Sequence, residues 1–226
     1  AHVNICLLQR GMFLLLGVGL LCVAVPHAKR LPNMPGRKVF YHTAGCLLLI
    51  LGIGTGYLYI DKFQTRRENR DAYRETFVRY EAYPKARISM HEIMYTPEGD
   101  TFSATSRITA ANRKTRAMDQ LILFLNPSLK INRLTSEKRD IPFQRDRQVV
   151  VIEHPLAPGD SVTLEIEYGG HIDEDIYQVN IDNERFFAPV RQLTGVEQYG
   201  KHSAFVSRDY TLLIPEVLWY PAAVAP

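Results

Sequence analysis

The sequence predicts a membrane α-helical hairpin followed by an all-β antiparallel sandwich. Three observations lead to this fold class. Residues 1–60 carry five basic side chains (Arg10, Lys29, Arg30, Arg37 and Lys38) and no Asp or Glu, so all 24 acidic side chains of the 226-residue chain lie after position 60. Two long apolar runs fall inside that carboxylate-free part. From Lys85 onward the apolar period changes from 3.6 to 2, with turn residues between short runs. A wholly water-soluble enzyme is a poor fit to such a start. A nucleic-acid partner is disfavoured as well, because the residues after position 60 are slightly acidic and show no Lys/Arg stripe.

The first apolar run, Gly11–Val25, is uncharged. At about 1.5 Å per residue it covers about 22 Å of a ~30 Å hydrocarbon core. Leu7, Leu8 and the residues from Pro26 to Ala28 complete the crossing, with Arg10 snorkelling toward a headgroup. The second run, Val39–Ile60, is long enough to span with some tilt, with Tyr41 at one end and Tyr57 and Tyr59 at the other, where aromatic belts lie. The loop between them, 27–38, holds four basic residues and no acid, which places it on the cytoplasmic side. Residues 61–226 are then expected outside the cytoplasm, which in a bacterium would be the periplasm, making the protein a multi-pass component of the inner membrane. A signal peptide, with Arg10 as its basic region and Gly11–Val25 as its apolar region, competes for the first run but leaves the second unexplained. Because the chain begins with Ala1, its start is expected to be a cut inside a longer membrane protein. Gly52 and Gly56 form a small-xxx-small pair suited to close helix packing. The plainer reading is that glycine is frequent in membrane helices.

Residues 61–84 are predicted to form a juxtamembrane helix. Tyr73, Phe77 and Tyr80 share one face of it, Glu75 and Arg79 form an i,i+4 pair, and Pro84 closes it. Residues 85–226 are the predicted β domain. Its candidate strands are Ala86–Tyr95, Thr101–Ala111, Gln120–Leu125, Lys130–Thr135, Gln148–Glu153 and Ser161–Tyr168, then, less regularly, Ala204–Val206 and Tyr210–Ile214. Pro-Glu-Gly-Asp (97–100), Asn-Pro-Ser (126–128) and Pro-Gly-Asp (158–160) separate them. Cys6, Cys22 and Cys46 all lie in the apolar part, so packing alone must hold the β domain.

Four constellations carry residue types that chemistry could use. His91-Glu92 begins like the zinc-protease helix signature, but the second histidine position is Tyr95 and the period there is that of a strand. Asp173, Glu174, Asp175, Asp182 and Glu184 lack the spacing of a calcium loop and read as a solvated edge. His202, Ser203 and Asp209 are triad ingredients without a Gly-x-Ser-x-Gly elbow and read as surface residues. The segment Pro215–Pro221 differs in kind: Glu216, Leu218, Trp219 and Tyr220 make a rigid aromatic stretch suited to anchoring one domain on another, or to plugging the sandwich itself. No Gly-rich phosphate loop occurs.

The succession QLILFLNPSLKINRLT, RDIPFQRDRQVVVIEHPLAPGDSVTLEIEYGGHIDEDIYQ and YTLLIPEVLWYP resembles the amino-terminal β domain of M1-family zinc aminopeptidases, with Pro155-Leu156, Pro158-Gly159-Asp160 and the stretch Tyr168 to Ile172 at matching places. With two apolar runs upstream, the chain is most similar to bacterial fusions of an ABC-transporter permease with an M1 peptidase. The resemblance implies a non-catalytic scaffold flanking a zinc aminopeptidase domain that follows Pro226. The family's paired-histidine helix, further Glu ligand and Gly-x-Met-Glu-Asn loop do not occur in this sequence. It therefore implies no catalytic, cofactor or metal residue here, with zinc only in the following domain. The implied partners are membrane lipid, the parent protein's remaining transmembrane helices and catalytic domain, and an ABC ATPase subunit. A non-enzymatic module gripping a peptide or partner, or a membrane-tethered adhesion domain, are the alternatives.

Overall fold

The computed structural model describes residues 2–27, 35–186 and 204–225. Residues 28–34 of the basic loop, and His202 and Ser203, lie outside them. The chain divides into two compact units, Ala1–Arg67 and Glu68–Pro226.

The first unit contains α1 (His2–Ala24), a 3-10 turn (Val25–His27) and the start of α2 (Pro35–Glu81). Both helices are long and apolar enough to cross a membrane. Their contact is set by missing side chains. A Cβ on Gly45 would lie 2.7 Å from Val23 Cγ2, one on Gly52 2.8 Å from Leu16 Cδ2, and one on Gly56 2.9 Å from Met12 Sδ. Gly54 has nothing within 4 Å of the same construction. The contacted positions on α1 run in reverse order to those on α2, so the two helices are antiparallel. Glycines permit the close backbone approach on which apolar helices rely when burial from water supplies no net force.

The second unit begins within α2, whose residues from Glu68 onward belong with the strands. Ten strands follow: β1 (Arg87–Glu98), β2 (Thr101–Ala111), β3 (Leu121–Phe124), β4 (Lys130–Ser136), β5 (Arg139–Asp140), β6 (Phe143–Asp146), β7 (Val149–Ile152), β8 (Ser161–Gly170), β9 (Ala204–Val206) and β10 (Thr211–Leu213). They form a five-stranded sheet ordered β1-β2-β8-β4-β5, a three-stranded sheet ordered β3-β7-β6, and the pair β10-β9, all antiparallel. In β2, Phe102, Ala104, Ser106, Ile108 and Ala110 are buried, and in β8 so are Val162, Leu164, Ile166 and Tyr168, while their alternates are not, save Ala111 at the end of β2. That period of 2 is the mark of a sheet with one solvated face.

In the smaller sheet, the end strand β3 and the central strand β7 are buried at every position. Leu121, Leu123, Val150 and Ile152 join the inward side chains of β2 and β8 in one apolar cluster. Ile122, Phe124, Val149 and Val151 join a second cluster with Ile176, Val179, Val217 and Leu218, against which Tyr73, Phe77 and Tyr80 of α2 pack. The helix end is thus a layer of this unit.

Candidate functional site: the docked helix end and the terminal aromatic segment

Side chains spaced three and four apart along the end of α2 share one face, and here that face is bonded into the strands' connections. Asn69 donates to Asp175 Oδ2 (3.1 Å) and Arg74 Nη1 to the carbonyls of Val179 (3.3 Å) and Asn180 (3.1 Å). Arg70 is buried and donates through Nε to Asn183 Oδ1 (2.8 Å), through Nη1 to the Tyr177 carbonyl, and through Nη2 to the carbonyls of Gln178 (2.8 Å) and Ile181 (3.0 Å). Its guanidinium carbon also stands 3.5 Å from the ring centroid of Phe186, in the short helix α3 (Asn183–Phe186). From the smaller sheet, Gln148 Nε2 donates to the Tyr73 carbonyl (2.6 Å) and Arg147 Nη1 to Thr76 Oγ1 (2.8 Å).

Tyr73 carries the tie inward. Its hydroxyl donates to Asp173 Oδ2 at 2.6 Å. Burial, and next the hydrogen bond to Asp173, push the phenol well above its ordinary value, so it remains a neutral donor. The Asp173 backbone N–H donates in turn to Asn126 Oδ1 (3.1 Å) and to Ser128 Oγ (3.0 Å). Asn126 is fully buried and its carboxamide is saturated. Nδ2 donates to the carbonyls of Asp173 (2.9 Å) and Val217 (2.7 Å), and Oδ1 accepts also from Ser128 N (3.2 Å) and Ser128 Oγ (2.7 Å). The Asn126 backbone N–H donates to the Leu218 carbonyl (2.7 Å). The Asn-Pro-Ser turn is therefore a knot joining the β3–β4 connection, the stretch after β8 and the terminal segment.

That terminal segment opens with a 3-10 turn, Pro215–Val217, in which Glu216 is half-buried. Leu218 follows in the left-handed region at φ 55° and is buried in the second core. Trp219 and Tyr220 are half-buried and stacked edge to face, 4.9 Å between centroids. Trp219 also meets Tyr95 (6.2 Å) and Tyr220 meets His91 (5.3 Å). Leu218 is thus consumed within this chain, while Glu216, Trp219 and Tyr220 keep part of their surface.

His91 sits on β1, and its Nε2 lies 3.1 Å from Ser106 Oγ, which lies 3.1 Å from the Tyr168 hydroxyl. Burial lowers the His91 pKa and raises that of Tyr168 to about 12. Nε2, Ser106 Oγ and the Tyr168 hydroxyl thus form one chain of hydrogen bonds, whose direction is set by the tautomer of His91. Ser106 is fully buried, out of reach of any substrate, so this chain of hydroxyls holds structure and does not act as a nucleophile.

Among the described residues no three His, Cys, Asp or Glu side chains converge as metal ligands. Tyr95, at the place of a second zinc histidine, points into the core side of a strand beside Phe102. The acids expected at a solvated edge divide. Asp173 and Asp175 are half-buried receptors for Tyr73 and Asn69, and Asp182 accepts from Arg185 N (2.7 Å). Asp209 is exposed. Sequence reasoning missed Asn126, Arg70 and Gln148. The one signal available was a polar residue directly after the apolar run LILFL.

No family model and no curated protein matches the chain. Among solved structures it is similar to an M1 zinc metallopeptidase from Deinococcus radiodurans, 17% identical over 39% of this chain and 21% of that one, with a TM-score of 0.36. It is also similar to a mutant of a two-domain M1 zinc metallopeptidase bound to L-arginine, 15% identical over 63% of this chain and 30% of that one, with a TM-score of 0.43. The matched part thus takes up under a third of the length of those proteins.

Proposed function

We propose that this chain is the membrane-anchored, non-catalytic part of a permease–peptidase fusion: a helical hairpin in a bacterial inner membrane that holds a periplasmic β-sandwich beside an M1-type zinc aminopeptidase domain following Pro226. One observation carries the anchored scaffold. Helix α2 runs unbroken from the uncharged stretch Val39–Ile60 to a face, Asn69–Tyr80, that is hydrogen-bonded and packed into the strands. One helix thus carries both a stretch apolar enough to cross a membrane and the face that belongs to the β domain. The peptidase half rests on the order of strands and turns that resembles the M1 amino-terminal domain. Glu216, Trp219 and Tyr220 are the surface offered to the catalytic neighbour, Gly52 and Gly56 close the membrane helix pair, and an ABC ATPase is the cytoplasmic partner. Zinc belongs to the neighbour, where it would activate a water for peptide hydrolysis.

The test is to extend the reading frame past Pro226 and assay the full-length protein for aminopeptidase activity. A His-Glu-x-x-His helix with chelator-sensitive activity is the expected result. A full-length protein lacking both removes the enzyme half.

A second reading, a peptide- or partner-gripping module without enzymatic activity, is favoured by β1. It is a 12-residue strand at the end of its sheet with Met90 and Met94 exposed, a geometry that accepts an added strand. It predicts no stoichiometric metal in the full-length protein.

A further inference from the structure

We propose that the Tyr73–Asp173–Asn126 knot couples the docked end of α2 to the seating of Leu218 and Trp219, so that loosening the helix contact loosens the aromatic segment. The inference rests on hydrogen-bond geometry within the second unit and holds whether or not a peptidase follows.

The path has three links and no slack. Tyr73 grips Asp173 through its side chain at 2.6 Å. Asp173 is fixed to Asn126 from both sides of one peptide plane pair, its N–H donating to Oδ1 and its carbonyl accepting from Nδ2. Asn126 then spends its remaining Nδ2 proton on the Val217 carbonyl and its own backbone N–H on the Leu218 carbonyl. Every donor of Asn126 is used and the residue is fully buried, so no water can take over a bond that is lost. A shift of Asp173 must either drag the carboxamide or strand a buried polar group. At the far end, Leu218 is a non-glycine residue at φ 55°, a conformation that persists only where its surroundings enforce it. Trp219, the next residue, packs on Tyr95 and Tyr220, so release of Leu218 is felt in the aromatic cluster. Coupling of this kind is reciprocal: disturbing the aromatic segment must weaken the hold on Tyr73 to the same degree.

The chain contains one tryptophan, Trp219, which serves as an internal probe. The full chain in lipid nanodiscs would be studied by amide hydrogen exchange and by tryptophan emission. Tyr73→Phe deletes the first link while keeping the ring. Asp173→Asn keeps the shape and weakens the same link should the first variant fold poorly. Arg79→Ala removes a different α2 contact, the ion pair with Asp146, and serves as the control. Exchange at the Asn126 and Leu218 amides is expected to rise roughly tenfold in Tyr73→Phe and by less in Asp173→Asn. Emission should shift to the red in both, and the amides of Val150 and Leu164 should keep wild-type exchange, as should every site in Arg79→Ala. Unchanged exchange at Leu218 in both knot variants would overturn the proposal. So would a rise that is uniform across all strands, or one matched by Arg79→Ala.

Discussion

The two faces of the β3–β7 strand pair are covered by different means. One face meets β2 and β8 through aliphatic side chains, Leu121, Leu123, Val150 and Ile152 against Ile108, Leu164 and Ile166, with the Ser106 and Tyr168 hydroxyls bonded to each other within the larger sheet. The other meets α2 and the terminal segment, and around its apolar centre lie Arg70, Gln148, Asn126 and Asp173 with their hydrogen bonds. Sheet covers sheet by shape alone, because strand backbones satisfy each other. A helix end and two connections laid on a sheet leave carbonyls and N–H groups that side chains must satisfy. The second face is therefore specific in a way the first is not: its hydrogen bonds fix which helix and which segment sit there, and how.

Several substitutions separate the faces. The largest effect is expected from Phe124→Ala, which removes the side chain beside Phe77 (6.0 Å between centroids) and under Lys85. A loss of about 4 kcal/mol is expected from cavity formation, and chemical denaturation in detergent should show the α2 end exchanging freely before the strands do. Leu123→Ala on the opposite face is expected to cost about 3 kcal/mol with helix and strands lost together. Equal behaviour of the two variants in hydrogen exchange would erase the contrast. In the first unit, Gly52→Leu forces a side chain into Leu16 and is expected to cost about 2 kcal/mol of helix association, whereas Gly54→Leu, in open space, should cost nothing measurable. A tethered-helix association assay distinguishes them.

The pH dependence of the first face follows from His91. Burial holds its pKa below the ordinary 6.5, so the folded state binds the proton less readily than the unfolded chain. Its contribution to stability is therefore complete above about pH 6.5 and declines as the pH falls below it. Protonation also fixes the direction of the hydroxyl chain at this end, because a charged Nε2 can only donate to Ser106. The denaturation midpoint should fall from pH 7.5 to pH 5.5, less so in His91→Gln; identical acid limbs in the two proteins would contradict this. The smallest effect belongs to Arg79→Ala. Its ion pairs with Glu75 and Asp146 are half-exposed and worth under about 0.5 kcal/mol, so a larger loss would mean that the second face extends further than described.

Much of the strand pattern was legible because β8 alternates strictly, β2 does so up to Ala110, and the runs LILF and VVVI are too apolar for a one-sided sheet. The helical face Tyr73, Phe77, Tyr80 was legible from its spacing. Strand β6 was not, since Phe143–Asp146 carries an arginine whose guanidinium turns inward to the carbonyls of Leu125 and Asn126, its pKa lowered to about 10 by burial. Asn126 was read as a turn residue, which it is. Its second task depends on carbonyls 47 and 91 positions away, separations that no local pattern reports. A run of acids such as Asp173 to Asp175 resembles a solvated surface, and no local pattern reports the docked helix whose Tyr73 and Asn69 donate to Asp173 and Asp175.

Zinc measured in the full-length protein and in the 1–226 chain, purified side by side, tests the proposed role most directly. One zinc per full-length chain and none above background in residues 1–226 is the expected result. Stoichiometric zinc retained by residues 1–226, or none in the full-length protein, would contradict it.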